Sequence, residues 1–304
     1  MSTEVGGTEL GGTDLGRIGV WTGSLDALPV PAARDAVAAL DAQGWGAVWF
    51  GEAYGREAFT AAQLYLSASE RLVVATGIAN VYGRDAVGAN SAARTLGAAF
   101  PGRFVLGLGV SHAPLVERLR GHAYGKPVAT MREYLDAMDA AQYLAADGQE
   151  PPPRVLAALG PKMLELARDR ADGAHPYLVT PAHTAQAAEA LGAGKVLAVE
   201  QAVVLSDDPD DWRAKAHAHL EVYTGLPNYR NNWFREGFTE DDAQRGGSDR
   251  LKEALVPRGL EAGVARVQEH LDAGATHVCV QVLGDSPFDV PHEGWERFAE
   301  ALLP

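Results

Sequence analysis

The amino-acid sequence predicts an α/β protein of the (β/α)₈ TIM-barrel class. Short runs rich in β-branched and aromatic residues alternate with longer, alanine-rich amphipathic stretches, a pattern typical of parallel strands joined by helical crossovers. The short runs number eight. No glycine-rich dinucleotide fingerprint follows the first of them, as it would in an open nucleotide-binding sheet. These three observations favour a closed barrel over a doubly wound sheet.

The predicted strands, in chain order, cover residues 18–21, 47–50, 72–77, 104–109, 155–158, 173–175, 196–205 and 277–283. The clearest predicted helices cover residues 31–43, 85–99, 130–145, 161–171 and 181–191. Several of these helices begin at Pro or Asp and end close to Gly, which are common boundary residues.

The domain organisation follows from composition and spacing. Residues 1–16 are rich in glycine and acidic side chains and lack a secretory signal pattern, so we expect a disordered leader. Residues 17–304 then form one barrel domain. The segment 206–256 after the seventh strand is too long for an ordinary connection. We expect an insertion that covers substrate or a subunit interface.

Charge and composition restrict the partners. The net charge of −14 and the pI near 5.0 disfavour nucleic acid and anionic membrane surfaces, so a small-molecule substrate is expected. Cys279 is the only cysteine, which excludes an internal disulfide and a cysteine-based zinc cluster and favours a cytoplasmic protein. No apolar run is long enough to span a membrane. No HExxH-like motif indicates a metal site.

The fourth strand leads to the barrel mouth through Gly109, Val110, Ser111 and His112. A glycine there lets a ligand approach the backbone. Ser111 can hydrogen-bond a phosphate or hydroxyl, and His112 titrates near neutral pH. The alternative is that the glycines only relieve crowding inside the barrel.

The third strand ends with Gly77, Ile78 and, two residues later, Asn80. A small residue followed by a branched one suits a kinked backbone that lies against a flat ring. The Asn80 amide offers both a donor and an acceptor. An ordinary strand end followed by a loop explains the same pattern.

The fifth strand delivers Gly160 and Pro161 to a helix N-terminus. Free N–H groups of Lys162 and Met163, the helix dipole and the Lys162 ammonium predict a phosphate site. The alternative is an ordinary proline at the first helical position.

Two other strand ends carry candidate catalytic residues, Glu52 after the second strand and His175 after the sixth. Glu52 can act as an acid or base, or it can be a solvated loop residue. His175 can transfer a proton, or its ring can bond a backbone carbonyl. His217 and His219 in the insertion are spaced i, i+2, so they do not share a helix face and are predicted to be surface residues.

Taken together, several segments resemble the bacterial luciferase-like (LLM) superfamily, and within it a subgroup of F420-dependent oxidoreductases from actinobacteria. The resemblance spans residues 17–303 and is carried by TGIANVYGRD, PGRFVLGLGVSHAP, HAYGKPVATMREYLDA, ALGPKMLELARDRADGAHPY and LPNYRNNWFREGF.

The resemblance implies a barrel with inserts that holds the deazaflavin F420, or alternatively FMN, across its mouth. It implies a bulge at Gly77 and Ile78, often with a non-prolyl cis peptide, behind the cofactor ring. Gly109, Val110 and Ser111 would flank the ring or its ribityl chain.

By the same resemblance, Gly160, Lys162 and Met163 would bind the phosphate. The family often has a histidine after the acidic residue of the second strand, where this chain has Ala53 after Glu52.

Two activities remain open from the sequence. The first is F420-dependent hydride transfer to or from a small organic substrate. The second is an FMN-dependent monooxygenase that receives reduced flavin from a separate reductase. A noncatalytic ligand-binding barrel is a third reading. The resemblance also implies a homodimer.

Overall fold

A computed structural model describes residues 8–303 of the chain. Eight of its strands form the barrel: β3 (Ile18–Trp21), β4 (Ala47–Gly51), β5 (Val73–Asn80), β6 (Phe104–Gly109), β7 (Arg154–Leu156), β8 (Gly173–Ala174), β9 (Val196–Val203) and β10 (His277–Val282). They close in the order β10-β3-β4-β5-β6-β7-β8-β9, and every neighbouring pair is parallel. The predicted eight-stranded parallel barrel is therefore confirmed.

Eleven α-helices are present in residues 8–303: α1 (Val30–Gln43), α2 (Ala58–Leu66), α3 (Ala86–Ala99), α4 (Pro127–Asp139), α5 (Pro161–Arg170), α6 (Pro181–Leu191), α7 (Pro209–Tyr223), α8 (Pro227–Arg235), α9 (Asp249–Leu255), α10 (Leu260–Asp272) and α11 (His292–Leu302). None of the helices in this part of the chain combines the length and the apolar character that crossing a bilayer requires.

Helix α4 differs from its prediction, because it occupies Pro127–Asp139 and not residues 130–145. Pro127 stands at the helix start, where its missing N–H costs nothing. At the other end, Asp139 forms ion pairs with Arg154 and Arg170, which stand at β7 and at the end of α5. These tertiary ion pairs, which helical periodicity does not reveal, lie where the helix ends.

The predicted disordered leader is wrong for residues 8–16, while residues 1–7 lie outside the described part of the chain. Strands β1 (Glu9–Leu10) and β2 (Thr13–Asp14) form an antiparallel hairpin. Its side chains Leu10 and Leu15 are buried among the residues that fill the barrel interior. Burial of these two leucines stabilises a segment whose glycine content suggested disorder.

The insertion contains helices α7, α8 and α9, which lie between β9 and α10. Its apolar side chains form a core of their own together with Tyr177 and Leu178, which follow β8. The indole N–H of Trp233, a fully buried residue of α8, donates to the carbonyl of Leu178 at 3.3 Å. The insertion therefore packs over the carboxyl end of β8.

Candidate active site

Glycines form one half of the barrel interior at the carboxyl ends of the strands. Gly51, Gly77 and Gly109 stand on the neighbouring strands β4, β5 and β6. A Cβ atom at Gly51 would lie 3.6 Å from the indole of Trp21, and one at Gly77 would lie 3.3 Å from the ring of His175. Gly51 and Gly77 therefore face inward, and the partly accessible Gly51 leaves its backbone open to a ligand.

A bulge in β5 shapes this half. The pairing of β5 with β6 changes register between Ala75 and Ala79, as the resemblance implied for Gly77 and Ile78. Gly77 has a φ of +35°, in the left-handed region that favours glycine. A side chain at Gly109 would collide with Cγ2 of Ile78. The bulge thus directs Ile78 across the glycine at the end of β6.

The resemblance implied that this bulge often contains a non-prolyl cis peptide, and for this chain that expectation is wrong. Every peptide bond in the described residues is trans. The bulge itself needs only the left-handed glycine and the change in register.

Polar side chains form the opposite half of the interior. Ala198 and Cys279 belong to the buried interior layer of β9 and β10, so strand alternation also directs Glu200 and Gln281 inward. One oxygen of Glu200 accepts the N–H of Leu178 at 3.0 Å, and the other has no partner among the described residues. Burial raises the pKa of Glu200 to about 8, so this carboxyl is protonated at neutral pH.

The segment after β8 is held by Glu200. Leu178 has a φ of +54°, which is unusual for a side-chain-bearing residue, and its N–H and carbonyl are bonded by Glu200 and Trp233. This turn presents Tyr177, whose hydroxyl donates to Oε1 of Gln281 at 2.7 Å. Strained backbone that two buried hydrogen bonds maintain is typical of functional sites.

Aromatic rings surround Tyr177. The ring centroids of Trp21, Tyr223 and Tyr229 lie 4.9, 5.5 and 6.5 Å from that of Tyr177, and that of His219 lies 6.3 Å away. The prediction that His219 is a surface residue is wrong, because Nε2 of its ring is buried without a partner among the described residues. Burial lowers the pKa of His219 to about 4 and keeps the ring neutral.

Glu52 directly follows β4, and both of its carboxylate oxygens already have partners. The N–H of Asn80 donates to Oε2 of Glu52 at 2.8 Å, and the guanidinium of Arg84 contacts its Oε1. Arg120 lies 3.9 Å from the same oxygen. The carboxylate is therefore neutralised by arginines and tied to the backbone, which suits a structural role.

Asn80 is buried as well, and its Oδ1 accepts the N–H of Tyr82 at 2.9 Å. This bond holds the turn that follows β5. The amide oxygen of Asn80 is therefore directed at the local backbone.

His112 lies at the accessible part of the mouth. Its ring centroid is 5.8 Å from that of Tyr229, and burial lowers its pKa, so the ring is neutral at pH 7. Ser111 has a φ of +55°, and its carbonyl accepts the hydroxyl of Tyr124 at 3.1 Å. Val110, Ser111 and His112 are all partly accessible, as binding residues require.

His175 lies deeper than the sequence suggested. Its ring is buried and stacks on Trp49 at a centroid distance of 4.6 Å, and its Nδ1 donates to the carbonyl of Ala198 at 2.8 Å. Burial lowers its pKa to about 4. The backbone bond that was the alternative interpretation is therefore present, although Nε2 has no partner among the described residues.

The N-terminus of α5 places Gly160, Pro161 and Lys162 at the surface beside the mouth, with Met163 buried. The predicted free N–H of Met163 is wrong, because it donates to the carbonyl of Gly160 at 3.0 Å. Arg235 of α8 approaches from the insertion, and its Nη2 would lie 3.8 Å from a Cβ atom at Gly160. Two cationic side chains therefore flank this helix end.

Sequence reasoning placed Tyr177 just past the sixth strand without giving it a role, and it missed Glu200 and Gln281. A signal was available for Glu200, because it is the only charged residue within β9, whose residues are all buried. The contact of Tyr177 with Gln281 joins residues 104 positions apart in the chain, which no local pattern reveals.

Comparison with known proteins identifies a relative by sequence, solved structures with the same fold and a protein family. A Mycobacterium tuberculosis protein named "Putative coenzyme F420-dependent oxidoreductase Rv3520c" is 33% identical over 120 residues, which are 40% of this chain and 35% of that protein. The chain thus spans about a third of that relative's length.

Two solved structures share the fold. One is an F420-dependent secondary alcohol dehydrogenase in complex with an F420-acetone adduct, with a TM-score of 0.73 and 17% identity, covering 94% of this chain and 98% of that one. The other is the oxygenating constituent of the 3,6-diketocamphane monooxygenase of Pseudomonas putida in complex with FMN, with a TM-score of 0.70 and 12% identity, covering 93% and 96%.

The model of the family described as luciferase-like monooxygenase matches residues 8–273, which is most of the chain. The match includes every barrel strand except β10. The chain therefore belongs to the luciferase-like monooxygenase family of oxidoreductases.

Proposed function

We propose that this protein is an F420-dependent oxidoreductase that moves a hydride between the deazaflavin and a small organic substrate. The observation that carries the proposal is the glycine half of the mouth, where the bulge at Gly77 directs Ile78 across Gly109. The relative named as F420-dependent supports F420 as the cofactor.

The residues present fit such a cofactor. Gly51 presents partly accessible backbone without a side chain, and Ile78, whose side chain lies across Gly109, offers an apolar surface for one face of a ring. Val110 and Ser111 would contact the ring or the ribityl chain. When bound, F420 supplies the hydride chemistry, while the protein orients it and excludes water.

The phosphate end is proposed at the start of α5. Gly160 and Pro161 leave the backbone accessible, and the helix dipole favours an anion there. Lys162 contributes a mobile positive charge, and Arg235 a second one from the insertion.

His112 is proposed to hold the proton that accompanies hydride transfer. Of the three candidates from the sequence, Glu52 is engaged by Arg84 and His175 is buried beneath Gly77. The neutral ring of His112 stays partly accessible and can accept a proton from an alcohol, and the protonated ring that results can return this proton in the reverse reaction.

An FMN-dependent monooxygenase is the second candidate function, because the matching family is described as luciferase-like monooxygenase. The same glycine half would hold the flavin. This activity would need reduced flavin from a separate reductase. Homodimer formation and a cytoplasmic location are further expectations from the sequence.

The test is a titration of the purified protein with F420 and with FMN, followed by intrinsic tryptophan fluorescence. We expect F420 to bind more tightly than FMN. Lys162→Ala should weaken F420 binding about tenfold, since it removes a charge-assisted contact. Arg132→Ala, which removes an exposed cation of α4, should leave binding unchanged.

A preference for FMN would favour the monooxygenase. Binding of neither cofactor would overturn the proposal. Equal losses in Lys162→Ala and Arg132→Ala would reject the phosphate site at α5, because they would indicate a general charge effect.

A further inference from the structure

The polar half of the mouth contains a compact group of aromatic and amide side chains that the proposed cofactor does not use. We name this group the Tyr177 pocket; it comprises Trp21, Tyr177, His219, Tyr223, Tyr229 and Gln281. These residues come from β3, the segment after β8, two helices of the insertion and β10. Four of them, Trp21, His219, Tyr223 and Gln281, are partly accessible.

Hydrogen-bonding atoms in this pocket lack partners. Nε1 of Trp21 and Nε2 of His219 are both buried and unbonded among the described residues. Unsatisfied buried polar atoms are uncommon in folded proteins, since each costs about 1–3 kcal/mol. Both rings adjoin Tyr177, so a ligand that binds beside Tyr177 can supply the missing partners.

A chain of hydroxyl groups supplies further contacts. The hydroxyl of Tyr223 donates to that of Tyr177 at 3.3 Å, and Tyr177 donates to Oε1 of Gln281 at 2.7 Å. The amide nitrogen of Gln281 stays available as a donor, and the oxygen of Tyr223 as an acceptor. The pocket can therefore bond an oxygen that is either a carbonyl or a hydroxyl.

The six residues carry no formal charge at neutral pH. Burial raises the pKa of Tyr223 to about 12 and those of Tyr177 and Tyr229 well above their ordinary value, and it lowers the pKa of His219 to about 4. Glu200, next to the pocket, is protonated.

None of the charged groups described above belongs to this pocket. Glu52 follows β4 and pairs with Arg84 and Arg120. Lys162 stands at the start of α5, and Arg235, at the end of α8, lies near Gly160 and donates to Asn232. A charged ligand in the Tyr177 pocket would therefore lose water without gaining a counter-charge.

We propose that the Tyr177 pocket binds the substrate and that the substrate class is an uncharged cyclic or aromatic molecule bearing one carbonyl or hydroxyl oxygen. The rings of Trp21, Tyr223 and Tyr229 supply faces and edges against which a flat body packs. Gln281 and Tyr223 bond the oxygen. This inference deepens the proposed function, which supplies the reaction but is not needed for the binding itself.

The test uses two ring compounds that differ mainly in charge, 2-naphthamide and 2-naphthoate. Their binding to the full-length chain is measured by calorimetry at pH 7, with and without saturating F420. We expect the amide to bind at least about tenfold more tightly than the carboxylate, because the carboxylate would be buried without a partner.

Two variants locate the binding. Tyr223→Phe should weaken amide binding about three- to tenfold, which corresponds to one hydrogen bond. Gln281→Lys adds a counter-charge and should shift the preference toward naphthoate. Tyr143→Phe, on the loop after α4 beside Arg94, is the control and should change neither affinity.

Naphthoate binding as tight as that of the amide, or no binding of either, would overturn the inference. So would equal effects of Tyr223→Phe and Tyr143→Phe. Amide binding without binding of F420 or FMN would reject the proposed function and leave the pocket standing. Binding of F420 or FMN without binding of the amide would reject the proposed substrate pocket and leave the proposed function unaffected.

Discussion

The side chain of Ile78 occupies the space into which a Cβ atom at Gly109 would project. The two residues stand on adjacent strands, and the bulge in β5 brings them together. This relationship makes the glycine at the end of β6 a requirement of packing.

Gly109→Ala should therefore destabilise the protein by about 1–3 kcal/mol, because the core around the new methyl group is closed. The loss should be smaller in the Gly109→Ala, Ile78→Ala double variant than the two single losses added, since removing the isoleucine frees the space. Chemical denaturation measures these values. Gly88→Ala on helix α3 is the control and should not destabilise, since it replaces a helical glycine. A fully additive double variant would contradict the clash.

Arg84→Met should cost about 3–5 kcal/mol of stability, because it leaves Glu52 buried with only Arg120 nearby. Removing both charges in Arg84→Met, Glu52→Gln should recover much of this loss. A double-mutant cycle in denaturant gives the coupling between the two residues. Coupling near zero would reject the structural role of Glu52 and return it to the catalytic candidates.

Stability should also depend on pH through Glu200. Its pKa is raised by burial to about 8, whereas in the unfolded chain it titrates near its ordinary value of 4.5. Between these values the folded state keeps a proton that the unfolded state releases, so stability falls as the pH rises. The contribution of Glu200 is fully present below pH 4.5 and is lost as the pH passes through about 8.

Glu200→Gln keeps an acceptor for Leu178 and cannot ionise. Its stability relative to wild type should increase by about 2–4 kcal/mol between pH 5 and pH 8. Urea denaturation at the two pH values checks this. Glu133→Gln on the exposed face of α4 should show no such change. A pH-independent difference for Glu200→Gln would show that the carboxyl ionises normally.

His112→Asn should lower kcat about a hundredfold or more if His112 holds the transferred proton. The Kd for the cofactor should stay within about twofold, because the substitution leaves the glycine half intact. His292→Asn, an exposed histidine at the start of α11, is the matched control. Unchanged kcat in His112→Asn would assign the proton to another group of the mouth.

Much of the fold could be predicted because strand and helix periods are local properties. Each predicted strand overlaps an observed one and differs from it by at most three residues at either end. The exceptions, helix α4 and residues 8–16, are governed by ion pairs and by burial against distant strands. Such contacts leave no periodic trace in the segment that they order.

The candidate site was predictable in part for the same reason. Glycines mark special backbone positions by themselves: Gly77 lies in the bulge of β5, Gly109 ends β6 and Gly160 precedes α5. The burial of His175 and the engagement of Glu52 were not predictable, because both depend on residues from other strands.

The sequence by itself determined the parallel barrel, the long segment between β9 and α10, and the strand ends at which the candidate site residues lie, since alternation and glycine placement act within a few residues. Only the tertiary structure decided which polar side chains are free to react. Burial sets the charge of His175, His219 and Glu200, and an ion pair with Arg84 engages Glu52. Each of these depends on chain segments that meet only when the barrel closes.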